Sequence, residues 1–512
     1  QPAYSDGSKT EYWWTIVGPA VLVGPYSANF FTDAASIAIY TYHDAEGEKA
    51  GRNDYQTQGI AYSLNNGRDW EKYSGNPTFI SDHPLEANWI SFYGSVIRRP
   101  DGLWQMWYTT AIRTRKGPVV GYAESEDGIK WERVEKDVMT INGRKTHFVF
   151  DREPHGPAII YDEKETRKNW KYKMMCGASP SGRISVFHSA DGIYWFDCLK
   201  NPVIGTNPDC PVSFLRLPSG KYVAYHRPCL GDRRIARSES WDFLNWSEAK
   251  IVIDQSPEDP PQIQFYGMGA ATYGNYEIGT LWIYHTDVSD TGFWKMHGYQ
   301  EPEFVYTRTG YAWHRLARNS PFIPRGKDKN DWDCGQIQPA STPVFLEDEI
   351  RFYYVGTRTK HEDTYPEFLS TLKEPACGIG YARLKPDRFV GLVAQDKGVL
   401  ITRPFWTDKP QFFINAKIKG FIKVEITDIS GKPVEGFDLE NSIPINGDSI
   451  YHQCRWKNNP DPSKVVNKDI RFRIQANDAI IYSLMAGSDK DIVRYRDFGI
   501  NHFTFEREKI FL

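Results

Sequence analysis

A short phrase that joins a turn to a closing aromatic residue recurs along this chain and constrains its fold more than any other feature. The copies occupy residues 62–70, 123–131, 188–195, 237–246 and 306–313, with a degenerate sixth copy at 381–389. Consecutive copies close 61, 64, 51, 67 and 76 residues apart, on Trp70, Trp131, Trp195, Trp246, Trp313 and Phe389. A repeat of this length, with a turn and an aromatic residue in each copy, predicts one β-propeller blade per copy.

The phrase also has a local chemical logic. Ser or Asn next to Asp-Gly closes a tight turn through hydrogen bonds from backbone N–H groups to side-chain oxygens, and the aromatic residue then packs between neighbouring blades. The phrase resembles a shortened Asp-box of sialidase-type propellers, in which such boxes are structural. Its Asp residues are therefore predicted to support the scaffold and are left out of the predicted site.

Hairpin signals fill the spaces between the copies. Turn residues separate two β-rich runs at 89–96 and 103–108, at 212–217 and 221–226, and at 343–346 and 350–355. Two of these turns are Pro100-Asp101-Gly102 and Pro218-Ser219-Gly220, in which Pro presets φ and Gly accepts a positive φ. No window shows sustained helical periodicity. We predict an all-β chain with six blades by motif count, or five if the first unit only closes the ring.

The composition changes after Phe389. The phrase disappears, and from about residue 398 shorter alternating strands follow at 421–426, 470–474 and 479–484. This pattern predicts an antiparallel β-sandwich. We therefore expect a β-propeller catalytic domain over 1–397 and an accessory sandwich over 398–512, which braces the propeller or, as the less favoured alternative, binds carbohydrate.

Composition excludes several classes of function. The net charge of -3 argues against a nucleic-acid partner, and no apolar run is long enough for a membrane span. The seven cysteines are scattered, which argues against a zinc site, although Cys210 and Cys229 could be bridged. No cofactor is specified, and a structural calcium ion is compatible with a propeller channel. Beginning at Gln1, the chain is predicted to be the mature form of a secreted, periplasmic or cell-surface protein, with a monomer favoured over an oligomer.

Two stretches resemble a known family. The first is similar to a blade of glycoside hydrolase family 32 and comprises residues 36–41, 56–63 and 67–77. The second resembles the tail of secreted bacterial family-32-like proteins and comprises residues 380–404 with 424–426, 447–449 and 455–457. The resemblance implies a propeller followed by a sandwich, and activity on carbohydrate. The nucleophile motif Trp-Met-Asn-Asp-Pro-Asn-Gly and the acid motif Glu-Cys of that family have no counterpart here. The resemblance therefore implies neither a fructan substrate nor any catalytic residue.

Candidate catalytic residues come from the repeat itself. In a propeller the innermost strands converge on the axis, and the ends at which they begin line a funnel. Glycoside hydrolysis commonly uses two carboxyl groups, one on each side of the scissile bond. The predicted catalytic residues just before these strands are Glu86, Asp209 and Asp333, with Asp151 and His155 as further candidates. The alternative is that each acid is a solvated loop carboxylate or a turn cap.

Candidate substrate-binding residues lie near these acids. Trp89, Tyr93, Tyr266 and Trp332 are predicted to stack on sugar rings, although propeller packing also uses such residues. Arg152, His226 and Arg227 would suit a uronic acid or a sulfated sugar.

The sequence thus predicts an exo-acting glycoside hydrolase for a plant, algal or host glycan. One alternative is a polysaccharide lyase, in which His155 or His43, with Tyr93 or Tyr266, abstracts a proton next to a uronate carboxyl. Another is a propeller that binds glycan without catalysis.

Overall fold

The structure is a computed structural model. It describes residues 21–23, 36–42, 57–63, 71–72, 79–80, 82–115, 117–178, 183–205, 211–228, 232–260, 262–273, 276–286, 297–329, 331–345, 349–361, 377–487 and 509–511. Regular structure within these ranges is almost entirely β-strand, with 3-10 helices at Lys168–Trp170 and Pro462–Lys464. The prediction of an all-β chain is confirmed. The chain divides into two compact units, the first with residues 1–272, 276–343 and 352–382, the second with 273–275, 344–351 and 383–512.

Four antiparallel sheets of the first unit are each built from one stretch of chain. The first holds β1 (Val21–Val23), β2 (Ser36–Tyr42), β3 (Thr57–Ser63) and β4 (Glu71–Lys72). The second holds β5 (Glu86–Arg98), β6 (Trp104–Ile112), β7 (Pro118–Ser125), β8 (Glu132–Arg133) and β11 (Phe148–Phe150), beside a hairpin of β9 (Lys136–Ile141) and β10 (Arg144–Thr146). The third holds β12 (His155–Tyr161), β13 (Tyr172–Ala178), β14 (Arg183–Ser189) and β15 (Phe196–Asp197). The fourth holds β16 (Pro211–Arg216), β17 (Tyr222–His226), β18 (Ile235–Ser240) and β19 (Lys250–Ile253).

A larger sheet follows these four. Its strands are β20 (Ile263–Tyr273), β21 (Tyr276–Thr286), β22 (Gly298–Thr307), β23 (His314–Arg315), β24 (Gln336–Pro339), β25 (Val344–Phe345), β26 (Ile350–Thr357) and β27 (Cys377–Leu384). β22 and β24 run parallel, and β21 and β26 run antiparallel to them. As a result β22 and β24 begin at the same end of this sheet, which we call its leading end.

The first strands of consecutive sheets lie side by side. β12 contacts both β5 and β16. The N–H of Ile159 donates to Ser95 Oγ, and Ser213 Oγ donates to the carbonyl of Met268. Apolar clusters fill the space between consecutive sheets, for example Trp107 and Tyr122 with Met174 and Phe187. This is the strand arrangement of a β-propeller; the number of blades stays a prediction.

The repeated phrase forms the turn that its sequence predicts. In the third sheet, Asp191 Oδ1 accepts from the N–H groups of Ile193 and Tyr194, and Ser189 Oγ accepts from Gly192. The copies at 123–131, 237–246 and 306–313 form the same kind of turn. Trp107 Nε1 donates to the carbonyl of Gly192 over 2.6 Å, which ties the second sheet to the third. The phrase is therefore structural; in the first copy, residues 64–70 lie outside the described residues.

The second unit contains one seven-stranded sheet. Its strands are β28 (Leu392–Ala394), β29 (Gly398–Ile401), β30 (Phe405–Thr407), β31 (Gln411–Asp428), β32 (Ile445–Gln453), β33 (Lys468–Gly487) and β34 (Lys509–Phe511). The prediction of separate strands at 470–474 and 479–484 is wrong, because both belong to β33. Residues 475–477 between them stay paired with β31, and Asp478, with a φ of 41°, falls at a register shift. The sandwich and the boundary at 397/398 stay predictions.

Candidate functional site

A row of buried polar side chains crosses the larger sheet near its leading end. Tyr284 pairs with Gln300, Gln300 with Gln336, and Gln336 with Thr357, so the four side chains share one face of adjacent strands. All four are buried. A strand face in a propeller is normally apolar, so a buried polar row is the informative exception. We call these four residues the polar row.

Hydrogen bonds fix the orientation of the amides in the polar row. Gln338 Nε2 donates to Gln300 Oε1 over 3.1 Å. Gln336 Nε2 donates to Thr357 Oγ1 and to the carbonyl of Thr359, over 3.2 and 3.1 Å. Gln300 Nε2 and Gln336 Oε1 are buried without a hydrogen-bond partner among the described residues, so the network is only partly satisfied.

Tyr266 and His361 lie at one end of the polar row. The hydroxyl of Tyr266 is 3.1 Å from His361 Nε2, and the hydroxyl of Tyr284 is 3.2 Å from His361 Nδ1. The backbone N–H of His361 donates to the carbonyl of Gly298 over 2.7 Å, which anchors this residue to the first position of β22. Tyr266 is half-buried, whereas Tyr284 is fully buried.

Two arginines from the neighbouring sheet flank Tyr266. Arg227 Nη1 donates to the carbonyl of Tyr266 over 2.9 Å, and Arg233 Nη1 donates to Gln264 Oε1 over 2.8 Å. Their guanidinium carbons lie 4.9 and 5.0 Å from the centre of the Tyr266 ring. The structure therefore brings the predicted residues Arg227 and Tyr266 together. Burial lowers the pKa of the adjacent His226 to about 4, so its imidazole is neutral near pH 7.

Asp333 lies just before β24, at the leading end. Its Oδ2 accepts from the hydroxyl of Tyr354 over 3.1 Å, and Trp332 stacks on the Tyr354 ring at 5.7 Å. Burial, followed by the charge of Asp333, raises the pKa of Tyr354, so its phenol keeps the proton that it donates. Both side chains pack over Gly356, where a Cβ would come within 2.4 Å of Asp333 and 2.6 Å of Trp332. These contacts hold the predicted residues Asp333 and Trp332 next to each other.

Glu86 lies at the start of β5 and is fully buried. Arg133 donates to both carboxylate oxygens over 2.8 Å, and Tyr108 and His147 contact Oε1 at 2.7 and 2.8 Å. Burial raises the pKa of Glu86, but the hydrogen bonds from His147 and Arg133 outweigh it and lower this pKa to about 2. This setting is typical of a structural carboxylate rather than of one that meets a substrate.

The other predicted residues before β12 lie at the surface. Asp151 pairs with Arg115 at 3.2 Å, Arg152 pairs with Asp197, and His155 is exposed at the first position of β12. Asp151 thus matches the alternative of a solvated loop carboxylate.

Four predicted residues cannot be placed. Asp209 and His43 lie outside the described residues, and so do the side chains of Trp89 and Tyr93. Within the described ranges, no group of three or more His, Cys, Asp or Glu side chains could hold a metal ion, and no helix is long and apolar enough to cross a membrane.

Sequence reasoning missed several residues of the leading end. They come from four separate strands or loops, and no motif joins them; they are Tyr284, Gln300, His361 and Arg233. The only local signal is the alternation Gln336-Ile337-Gln338, which puts two amides on one face of a short strand.

Comparison with known proteins gives the following. No family model matches this chain, and no curated protein matches its sequence. Among solved structures, a thermostable family-43 glycoside hydrolase is 13% identical, with a TM-score of 0.36 over 60% of this chain and 92% of that one. An N-acetylgalactosamine deacetylase from F. plautii, solved with blood group B trisaccharide, is 16% identical, with a TM-score of 0.39 over 75% and 93%. A protein of unknown function from Dyadobacter fermentans is 13% identical, with a TM-score of 0.43 over 73% and 97%. Likeness at these values assigns no role to any residue.

Proposed function

We propose that this protein is a glycoside hydrolase with its active site at the leading end of the larger sheet. The observation that supports this most is the position of Asp333, next to Trp332 and at the same end as the polar row. Sugar recognition uses an aromatic face together with a few fixed polar groups, and glycosidic cleavage uses a carboxyl group beside them. Asp333 and Trp332 pack on the face of β26 that carries Tyr354 and Gly356, whereas the polar row uses the face that carries Thr357, so the acid and the row share an end of the sheet but not a face.

Hydrolysis by the common route needs a second carboxyl group opposite the first. Asp209 is our candidate, because it lies two residues before β16, the first strand of the adjacent sheet in sequence. In this scheme Asp333 and Asp209 share the roles of acid and base. We further propose an exo-acting monomer that works outside the cytoplasm on a plant, algal or host glycan.

Substitution of Asp333 tests this function. Sugar release from a panel of plant, algal and host glycans is measured for the wild type, for Asp333→Asn and for Asp408→Asn, an exposed control in the second unit. We expect kcat to fall by a factor of about 100 or more in Asp333→Asn, which is the usual range for loss of a general acid or base. The control should match the wild type. Wild-type kcat in Asp333→Asn would overturn the role of this carboxyl.

A lyase is the second candidate, and the arginines beside Tyr266 favour it. Elimination from a uronate needs a cation against the carboxylate and a base at the neighbouring carbon, and Arg227 and Tyr266 are residues of those types. The same assays separate the two reactions, because only a lyase gives an unsaturated product that absorbs ultraviolet light. Saturable glycan binding without any product would instead favour a non-catalytic propeller.

A further inference from the structure

Tyr266, His361 and Tyr284 form a continuous chain of hydrogen-bonding groups from the surface of the first unit into its core. The phenol of Tyr266 contacts one ring nitrogen of His361, and the phenol of Tyr284 contacts the other, at 3.1 and 3.2 Å. Both tyrosine ring centres lie 5.2 Å from the imidazole centre. Of the two phenols, Tyr266 is the partly accessible one and Tyr284 the fully buried one.

This arrangement distinguishes the two nitrogens of His361. A phenol can donate to an unprotonated imidazole nitrogen or accept from a protonated one, so the direction of each bond depends on which nitrogen of His361 carries a proton. Nε2 faces the partly accessible phenol of Tyr266 and Nδ1 faces the buried phenol of Tyr284, so Nε2 is the nitrogen with a path towards substrate and solvent.

We propose, on the basis of the hydrolase function above but with a phenol in place of a carboxyl group as the acid, that Tyr266 is a catalytic residue that protonates the leaving oxygen and that His361 resupplies its proton. The glycosidic C–O bond breaks, its electron pair stays on the leaving oxygen, and that oxygen takes the proton of the Tyr266 phenol. Tyr266 takes the Nε2 proton of the imidazolium, which leaves His361 neutral with Nδ1–H on Tyr284. The water that attacks the sugar releases its proton to solvent, and a proton from solvent restores the His361 imidazolium.

The surroundings of Tyr266 fit this role. The charged groups that face its ring are Arg227 and Arg233, and Arg233 also lies 5.7 Å from the centre of the Tyr284 ring. Fixed positive charge of this kind stabilises negative charge as it develops on a reacting oxygen. Trp282 stacks on the Tyr266 ring at 6.4 Å and limits its movement.

The kinetics of three variants test the roles of Tyr266, His361 and Tyr284. Tyr266→Phe keeps the ring and removes the proton donor, so we expect kcat to fall about 100-fold or more while KM changes less than about threefold. His361→Gln should remove one limb of the pH–rate profile, and Tyr284→Phe should move that limb, because Tyr284 is a positioning residue. Tyr194→Phe, an exposed tyrosine on another sheet, is the matched control and should behave as the wild type.

A second measurement does not depend on turnover. Histidine labelled with ¹⁵N reports the titration and tautomer of His361, whose signal is assigned by its loss in His361→Gln. We expect Tyr266→Phe to change this titration and Tyr194→Phe to leave it unchanged. An unchanged His361 titration in Tyr266→Phe, or wild-type kcat in that variant, overturns the proposal while the hydrolase function stands. If the wild type releases no sugar while Tyr266→Phe still changes the titration of His361, the hydrolase function is overturned instead.

Discussion

At the scale of single residues, Glu86 matches the sequence pattern predicted for a catalytic acid, but its surroundings are those of a structural carboxylate. It is the first residue of β5, close to where the repeat predicts a catalytic acid, yet it is fully buried between Arg133 and His147. Its low pKa means that the folded state prefers its ionised form. Stability from such a group is present above the unfolded pKa of about 4.5 and is lost as the pH falls towards about 2.

Glu86→Gln should therefore lower the free energy of unfolding at neutral pH. We expect a loss of about 3 kcal/mol, because the substitution leaves Arg133 buried without its counter-charge. The difference from the wild type should shrink between pH 4.5 and pH 2, where the wild-type carboxylate also becomes protonated. Urea unfolding at several pH values measures this, with the exposed Glu126→Gln as control. Unchanged stability with lost activity would support the catalytic role predicted from sequence.

At the scale of elements, the turns were predictable because their chemistry is local. In the hairpin between β5 and β6, Gly102 takes a φ of 96° and donates to the carbonyl of Arg99. The second predicted hairpin closes in the same way at Gly220, with a φ of 93°. All of the atoms that form each turn lie within a few residues, so sequence alone specifies them.

A glycine of the repeated phrase and a glycine of the hairpin between β9 and β10 form a matched pair for a stability test. Gly192 and Gly143 have φ values of 80° and 74°, so alanine strains the backbone at both. A Cβ on Gly192 would lie 2.4 Å from the Trp107 ring, whereas one on Gly143 meets nothing within 4 Å. We expect Gly143→Ala to cost about 1 kcal/mol and Gly192→Ala about 3 kcal/mol or more, measured by urea unfolding. Equal losses would mean that the contact between the turn and Trp107 contributes nothing.

The candidate site could be predicted only in part. Asp333, Tyr266 and Arg227 were found because each lies close to the beginning or end of a strand that the repeat marks. His361 was not found, because its contact with Tyr266 joins residues 95 positions apart. Such a contact depends on the order and register of strands in the larger sheet, which no local pattern encodes.

At the scale of the whole molecule, the second unit takes in residues before the predicted boundary at 397/398. Arg388 donates to Asn415 Oδ1 and to Asp448 Oδ1, over 2.9 and 2.5 Å. Asp387 accepts from Ser483 Oγ over 3.1 Å, and β28 pairs with β33. Residues 383–397 are thus tied to the sheet of the second unit by hydrogen bonds at both ends of the segment.

These contacts predict that a fragment of residues 383–512 is more stable than one of residues 398–512. Removing the segment exposes one edge of β33 at Ala479–Ile481 and leaves Asn415, a fully buried side chain, without Arg388. Both fragments lack residues 273–275 and 344–351 equally, so the comparison isolates the segment. We expect the longer fragment to show the higher melting temperature and the slower cleavage by protease. Arg388→Ala in that fragment should lower its melting temperature, because the substitution removes the hydrogen bonds and leaves β28 in place. Equal stability of the two fragments would instead favour the boundary at 397/398, with the contacts of Arg388 contributing little to the folded unit.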